Sequence, residues 1–236
     1  MTELAERLKE RYFGTEVHPY IAFERKVDSL INREHTLLDA GCGRTAPVLA
    51  KYRGKARRLI GVDLVGFPAA IDGLELLNSD LAAMPVADQT VDVVISRSVM
   101  EHVVDPAAVY REIARVLRPG GSFAFLTGNF WDYAAIVTNL VPNRFHPWIV
   151  ARTQGRAEID VFPTAYKTNT HAAVRRWSDA AGFDIASYEY LGQYPAYFMF
   201  NGFLFLVATG YEKMIRRFEP LRFLRGWILV VLTKRD

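Results

Sequence analysis

Three acidic residues among the first 80 residues of the chain stand where short apolar runs end, which makes them candidates for holding a ligand. Asp39 ends the run in "HTLLDAG", Asp63 ends "ARRLIGVD" and Asp80 ends "LELLNSD". Each run predicts a β-strand. The carboxyl ends of parallel strands meet at one edge of a sheet, where ligands bind. Because burial disfavours an unpaired carboxylate, we expect a polar ligand at this edge.

The glycine loop after the first strand, "GCGRTA", fits two kinds of cofactor. Gly41, Gly43 and Ala46 match the dinucleotide fingerprint G-x-G-x-x-G/A, and Asp63 lies about 20 residues further on, where an acid would hold the NAD ribose. This interpretation predicts an NAD-dependent oxidoreductase. Asp39 argues against it, because a carboxylate at the mouth of the loop would repel a pyrophosphate and attract a cation. S-adenosylmethionine (SAM) is a cation without phosphate, and it fits that charge.

The elements that must position these residues alternate along the chain. Further strands are predicted for "TVDVVIS", which ends at Ser96, and for "SFAFLT", "IASYEYL" and "GWILVVLTK". Helices are predicted to begin in "APVLAKY", at Asp105 and Pro106 in "DPAAVYREIARVLRPGG", and in "TNTHAAVRRWSDAAGFD", with a basic helix in "YEKMIRRFEPLRFLR". Alternating strands and helices predict a parallel sheet that is covered on both faces.

An ordered series of motifs over residues 33–128 resembles the class I SAM-dependent methyltransferases of the small-molecule type. The motifs are "LLDAGCG", "GVD", "SDLAAMPVADQTVDVVIS", "EHVVDP" and "VLRPGGSFAFLT". The resemblance implies an α/β fold with a three-layer, doubly wound sheet of about seven strands, mostly parallel with an antiparallel last strand. We expect a single methyltransferase domain over residues 1–236, with a lid insertion at 129–167 and an apolar and basic insertion at 192–225 between the last two strands.

The resemblance also implies which residues bind SAM: Asp39, Gly41, Gly43, Asp63, Asp80, Leu81 and Ser96. The glycine loop would wrap the methionyl part, and Asp63 would accept bonds from both ribose hydroxyls. Asp80 and Leu81 would lie at the adenine. Thr45 stands where the family usually has a third glycine. We predict no metal site, because no pair of cysteines or histidines has ligand spacing.

Few residues need to act in catalysis, because SAM is already activated and a base is needed only if the acceptor loses a proton. Glu101 and His102 follow the fourth strand and are the first candidates, with His146 in the insertion as a third. Either histidine could instead have a structural role. Aromatic and basic residues of the insertion would wall an acceptor pocket or form a small core with a basic rim: Trp131, Tyr133, Arg144, Phe145, Trp148, Arg152, Arg156, Phe162, Tyr166 and Lys167.

Composition narrows the partners. The chain has 236 residues, half of them hydrophobic, with one cysteine and a net charge of +3. A single cysteine cannot form an internal disulfide, which fits a cytoplasmic protein. The mildly basic charge says little about nucleic acid by itself, and we expect no nucleic-acid partner. No charged residue lies between Glu189 and Glu212, but Pro195, Asn201 and Gly202 interrupt that stretch, so we predict a folded insertion and no membrane-spanning helix. The region 195–225 could contact a membrane peripherally or form a dimer contact; the oligomeric state stays open.

The resulting hypothesis is a SAM-dependent methyltransferase that acts on an oxygen or nitrogen of a small or lipid-like acceptor. Two alternatives remain: an NAD-dependent oxidoreductase that uses the "GCGRTA" loop, and a non-catalytic module of the same fold that binds a partner or a membrane.

Overall fold

The computed structural model describes residues 2–133 and 163–236. Seven strands lie within these residues and form one sheet with the order β3-β2-β1-β4-β5-β7-β6. The strands are β1 (Thr36–Ala40), β2 (Arg58–Asp63), β3 (Glu75–Asn78), β4 (Val91–Arg97), β5 (Leu117–Gly128), β6 (Phe183–Leu191) and β7 (Trp227–Lys234).

The strand directions confirm the predicted fold class. β1 pairs in parallel with β2 and β4, β2 with β3, and β4 with β5. The last strands are antiparallel, so the sheet is mixed within an α/β fold. The strand order changes direction beside β1, because β2 lies on one side of it and β4 on the other. The carboxyl ends of β1 and β4 therefore flank the crevice in which ligands of such sheets bind.

Five α-helices are described: α1 (Glu3–Phe13), α2 (Pro19–Leu30), α3 (Pro106–Val116), α4 (His171–Ala180) and α5 (Gly202–Arg217). Side chains cap the N-termini of α3, α4 and α5. Asp105 accepts from the N–H of Ala108, Thr170 from that of Ala173, and Asn201 from those of Phe203 and Leu204. Each cap satisfies N–H groups that the first helical turn leaves unpaired.

Contacts divide the chain into two compact units. One unit takes the described parts of 1–21, 128–163 and 190–228, and the other takes 22–127, 164–189 and 229–236. The second unit holds most of the sheet, and its core includes the fully buried Leu37, Ile60, Ile95 and Phe125. In the first unit α1 packs on α5, and Ala5, Phe13, Met199 and Phe205 form its core.

Two local predictions differ from the structure. The helix predicted in "APVLAKY" is a single 3-10 turn, Leu49–Tyr52. Ala46 has a left-handed φ of 42° and Gly54 one of 73°. The residues between these two left-handed positions are too few for a longer α-helix. β3 ends at Asn78 and not at Asp80, because the Asp80 carboxylate accepts from the N–H of Ala82 at 2.8 Å and closes a turn there.

The uncharged stretch also differs in detail from its prediction. Residues 192–226 separate β6 from β7, and the helix expected in "YEKMIRRFEPLRFLR" begins earlier, at Gly202, and ends at Arg217. Asn201 starts α5, and Pro220 lies in the 3-10 helix Glu219–Leu224 that follows it. In residues 2–133 and 163–236, no helix is both long and apolar enough to cross a membrane.

Candidate functional site

The loop after β1 needs glycine at Gly41 for two reasons. Its φ is +85°, a left-handed conformation that side chains rarely adopt, and a Cβ there would lie 2.3 Å from Cγ2 of Val99. The N–H of Gly41 donates to the carbonyl of Val62 at 2.8 Å. Gly41 therefore lets the backbone turn tightly between the ends of β2 and the loop that follows β4.

Gly43 and Asp63 connect this loop to the end of β2. The N–H of Gly43 donates to Oδ2 of Asp63 at 2.7 Å, and the N–H of Val65 donates to Oδ1 at 3.0 Å. These two backbone bonds fix the direction of the carboxylate. Each oxygen keeps a second lone pair, so Asp63 can also accept one hydroxyl group on each oxygen. A pair of ribose hydroxyls presents that pattern of donors.

Asp39 is an almost fully buried acid, with 1% of its surface exposed. Its Oδ2 finds no hydrogen-bond partner among the residues that the structure describes. Burial raises the pKa of the carboxyl to about 7; the charge of Arg97 lowers it and that of Asp63 raises it. A buried acceptor without a partner is costly for the fold. The site therefore fits a cationic group with N–H donors, such as the ammonium of SAM.

The other predicted cofactor residues occupy different positions at the same edge. Ser96 is fully buried in β4 and its hydroxyl donates to the carbonyl of Ala40 at 2.7 Å, so it binds β4 to β1. Its side chain is thus occupied, and only its backbone fits the predicted role. Asp80 is exposed and forms the turn after β3, with the buried Leu81 next to it.

Glu101 lies in a single 3-10 turn, Met100–His102, that follows β4. Its Oε2 accepts a hydrogen bond from the hydroxyl of Thr127, near the end of β5. Its backbone carbonyl accepts from the N–H of Ala165 at 2.7 Å and of Tyr166 at 3.0 Å. Burial raises the pKa of the Glu101 carboxyl, while the Thr127 hydrogen bond and the charge of His102 lower it. The turn brings both predicted catalytic residues, Glu101 and His102, to the end of β4.

A series of buried hydrogen bonds orients the Glu101 carboxyl, and each bond in it donates toward Glu101. The N–H of Thr168 donates to Oδ1 of Asn169 at 3.3 Å, which places the amide NH₂ on the other side. That Nδ2 donates to the Thr127 hydroxyl at 2.9 Å, so the single hydroxyl proton of Thr127 points to Glu101. All three relay residues, Thr127, Thr168 and Asn169, are fully buried. Oε2 of Glu101 is therefore a hydrogen-bond acceptor.

The sequence did not single out these relay residues. Thr127 ends the predicted fifth strand, and Asn169 precedes α4 in "TNTH", where the pattern only suggested a helix cap. A buried polar residue at a strand end was the one available signal. The third predicted catalytic residue, His146, lies outside the described residues, as do Arg144, Phe145, Trp148, Arg152, Arg156 and Phe162.

The described ends of the predicted lid have separate partners. Tyr133 stacks on Phe198 with ring centroids 5.9 Å apart, and Trp131 is exposed beside Phe130. Lys167 donates to the carbonyl of Val104 at 2.8 Å. Within residues 2–133 and 163–236, no three His, Cys, Asp or Glu side chains come close enough to hold a metal ion. The buried thiol of Cys42 is free, and burial raises its pKa.

A family model described as "Methyltransferase domain" matches residues 38–125. This range runs from β1 through the glycine loop, Asp63, Asp80 and Glu101 into β5. Residues 38–125 of the chain carry this methyltransferase domain. The family resemblance seen in the motifs, and SAM as the cofactor of this family, are thereby confirmed.

Two curated proteins that are similar to part of this chain are named as methyltransferases. A probable S-adenosylmethionine-dependent methyltransferase of Mycolicibacterium smegmatis is 34% identical over 46% of this chain and 43% of its own length. A ubiquinone biosynthesis O-methyltransferase of Hydrogenovibrio crunogenus is 30% identical over 53% of this chain and 58% of its own. The chain thus spans about half the length of the curated relatives it matches.

A solved structure shares the fold of the methyltransferase domain. Geranyl diphosphate C-methyltransferase from Streptomyces coelicolor A3(2), solved with S-adenosyl-L-homocysteine, has a TM-score of 0.57 and is 19% identical to this chain. The similarity covers 91% of this chain and 76% of that one. At this level of identity the likeness concerns the fold alone.

Proposed function

We propose that this protein transfers a methyl group from SAM to a small or lipid-like acceptor, at an oxygen or a nitrogen. The observation that carries the proposal is the buried Asp39 carboxylate, whose Oδ2 has no partner among the described residues. A positively charged donor of hydrogen bonds would satisfy it, whereas the pyrophosphate of NAD would be repelled. The domain family supports SAM as that ligand.

The residues at the sheet edge divide the binding of SAM among them. In this proposal Asp39 receives the ammonium, and Asp63 receives the ribose hydroxyls on the lone pairs that Gly43 and Val65 leave free. Asp80 and Leu81 bind the adenine, and the backbone at Ser96 completes the methionyl site. When bound, SAM supplies a methyl group on a positively charged sulfur, and the acceptor needs only to be aligned with it.

Glu101 is the group that we propose to act on the acceptor. The Thr127 hydroxyl donates to its Oε2, so the carboxyl is held in one orientation at the end of β4. A fixed carboxylate there can hold an acceptor hydroxyl or amine and take the proton that the acceptor loses. His102 in the same turn is a second candidate for the base, and His146 stays a prediction.

The chemistry of the acceptor is also a proposal. The O-methyltransferase of ubiquinone biosynthesis among the relatives favours oxygen over nitrogen, although it matches only 53% of this chain. The proposal also includes a cytoplasmic location, a single domain over residues 1–236 and a lid at residues 129–167. Membrane contact by residues 195–225 is a separate matter, because it depends on a different surface of the chain.

Isothermal titration calorimetry with SAM, S-adenosylhomocysteine and NAD tests the cofactor. We expect the first two to bind and NAD not to bind; NAD binding without SAM binding would favour the oxidoreductase. Incubation with methyl-tritiated SAM and a panel of phenols, amines and membrane-lipid extract then tests transfer. SAM binding without transfer to any of these compounds would favour the non-catalytic module.

A further inference from the structure

Helix α5 has apolar residues on both of its faces. One face is buried in the first unit, where Phe205, Ala208 and Ile215 pack inward. The opposite face is exposed: Phe203 has 71% and Val207 59% of its surface accessible. We define the α5 surface by the exposed apolar residues of the helix and its two ends: Phe200, Phe203, Leu204, Leu206, Val207, Met214 and Phe218.

The residues of the α5 surface form a continuous stripe. Phe203, Val207 and Met214, with the exposed Gly210 between the last two, follow one another at intervals of three or four residues, so their side of the helix is apolar over more than two turns. The exposed Leu4 of α1 lies beside the N-terminal end of the same helix, because a Cβ on Gly202 would lie 2.6 Å from its Cδ2. A contiguous apolar patch in water marks a binding surface far more often than scattered apolar residues do.

Positive charge lies at the C-terminal end of this stripe. The exposed Arg217 stands between Met214 and Phe218. Beyond it, Arg222 and Arg225 pair with the same acid, Glu219, at 3.2 and 2.9 Å. Three arginines and one glutamate therefore leave this end of the stripe positively charged. At the other end, the exposed Glu3 is paired with Arg7 at 2.5 Å. The surface thus joins an apolar stripe to a basic end.

We propose that the α5 surface docks on an anionic lipid membrane. A helix that lies in a membrane interface buries one apolar face among the acyl chains and keeps basic residues at the headgroups, as this one would. A second copy of the chain fits less well, because a two-fold contact would bury a basic end from each copy, and the paired Glu3 and Arg7 at the other end of the stripe would not neutralise it. The α5 surface would hold the enzyme where lipid-like acceptors are found.

Co-sedimentation with vesicles tests this docking and needs no knowledge of the acceptor. The full chain is mixed with phosphatidylcholine vesicles or with equimolar phosphatidylcholine–phosphatidylglycerol vesicles. We expect stronger binding to the anionic vesicles, weakened by salt. The double variant F203Q/V207Q should lower the apparent affinity for the anionic vesicles by about tenfold or more, because it removes the apolar contact. Arg217→Gln should lower that affinity by roughly fivefold and leave binding to neutral vesicles unchanged.

The double variant L64Q/V104Q is the matched control. Leu64 and Val104 are 61% and 71% exposed and lie in the other unit, so we expect their replacement to leave vesicle binding unchanged. Circular dichroism establishes that each variant is folded. Equal binding by both double variants would overturn the proposal. So would the absence of vesicle binding, whether the chain is monomeric or forms a dimer that F203Q/V207Q dissociates. None of these results bears on SAM binding, so the proposed methyl transfer would stand.

Discussion

Nδ2 of Asn169 lies 2.9 Å from the hydroxyl oxygen of Thr127, and through that hydroxyl Asn169 sets the direction of the Glu101 carboxyl. The three side chains come from the segment before α4, from the end of β5 and from the turn after β4. Because the Thr168 N–H can only donate, the orientation of the amide and of every later hydrogen bond is determined.

We predict that Thr127 and Asn169 position Glu101 and do not bind SAM. Thr127→Val should leave the SAM affinity within about twofold and lower kcat by about tenfold or more with the acceptor that the transfer screen yields, because the carboxyl loses its fixed orientation. Thr127→Ser keeps the hydroxyl and should restore most of kcat. Thr209→Val is the control, since the hydroxyl of this buried threonine donates to the carbonyl of Phe205 in its own helix. Equal losses of kcat in Thr127→Val and Thr209→Val would contradict a positioning role.

A second prediction concerns the ribose site. Asp63→Ala removes charge-assisted hydrogen bonds, and SAM binding should weaken by about 1.5–3 kcal/mol, or roughly tenfold to a hundredfold. Asp63→Asn keeps one acceptor oxygen and should lose less. Calorimetry measures both. Asp184→Ala is the control, because Asp184 is an exposed acid on β6 and forms an ion pair with Arg235. An unchanged SAM affinity in folded Asp63→Ala would remove Asp63 from the site.

A third prediction is that the ionised Asp39 carboxylate lowers the stability of the fold without ligand and strengthens the binding of SAM. The pKa of Asp39 is raised from 3.8 to about 7 in the folded chain, so the folded state binds more protons than the unfolded state between those values. Without ligand, the free energy of unfolding therefore falls as the pH rises from about 4 to about 7. Asp39→Asn cannot ionise, and at about pH 8 it should unfold with up to about 4 kcal/mol more free energy than the natural chain.

Urea unfolding at several pH values, together with calorimetry, checks this prediction. The stability gain of Asp39→Asn should shrink as the pH is lowered through about 7 and vanish near pH 4. The same variant should bind SAM at least tenfold more weakly at about pH 8, because the cation loses its counter-charge. A variant that is less stable than the natural chain at every pH would show that the buried carboxylate stabilises the fold.

A fourth prediction separates steric crowding from backbone strain in the glycine loop. Gly41→Ala places a Cβ 2.3 Å from Val99 at a φ of +85°, and should lower the free energy of unfolding by about 2–4 kcal/mol. Gly43→Ala has a similar φ of +73° but no atom within 4 Å of its Cβ, so only the strain of about 1 kcal/mol remains. In the double variant G41A/V99A, part of the loss should return. Equal losses in G41A and G43A by urea unfolding would contradict the steric explanation.

The amino-acid sequence alone determined the features that depend on neighbouring residues. Apolar runs defined the strands, because a strand that is buried on both faces is mostly apolar: all five residues of β1 are buried, and three of them are apolar. Asp105 marked one helix start, and a Thr or Asn of "TNTH" marked another, because a cap bonds an N–H only three residues away. The acids and glycines at the strand ends predicted a cofactor site at one edge of the sheet, since neighbouring parallel strands end at the same edge.

Only the tertiary structure decided the features that depend on residues far apart in the chain. Thr127 is 26 residues from Glu101 and 42 from Asn169, and no local pattern predicts that their side chains meet. The lack of a partner for Oδ2 of Asp39 among the described residues, and the exposed side of α5, are also visible only when the neighbouring elements are in place. Sequence spacing determines which residues share an element, whereas packing determines which polar groups are paired and which apolar faces are covered.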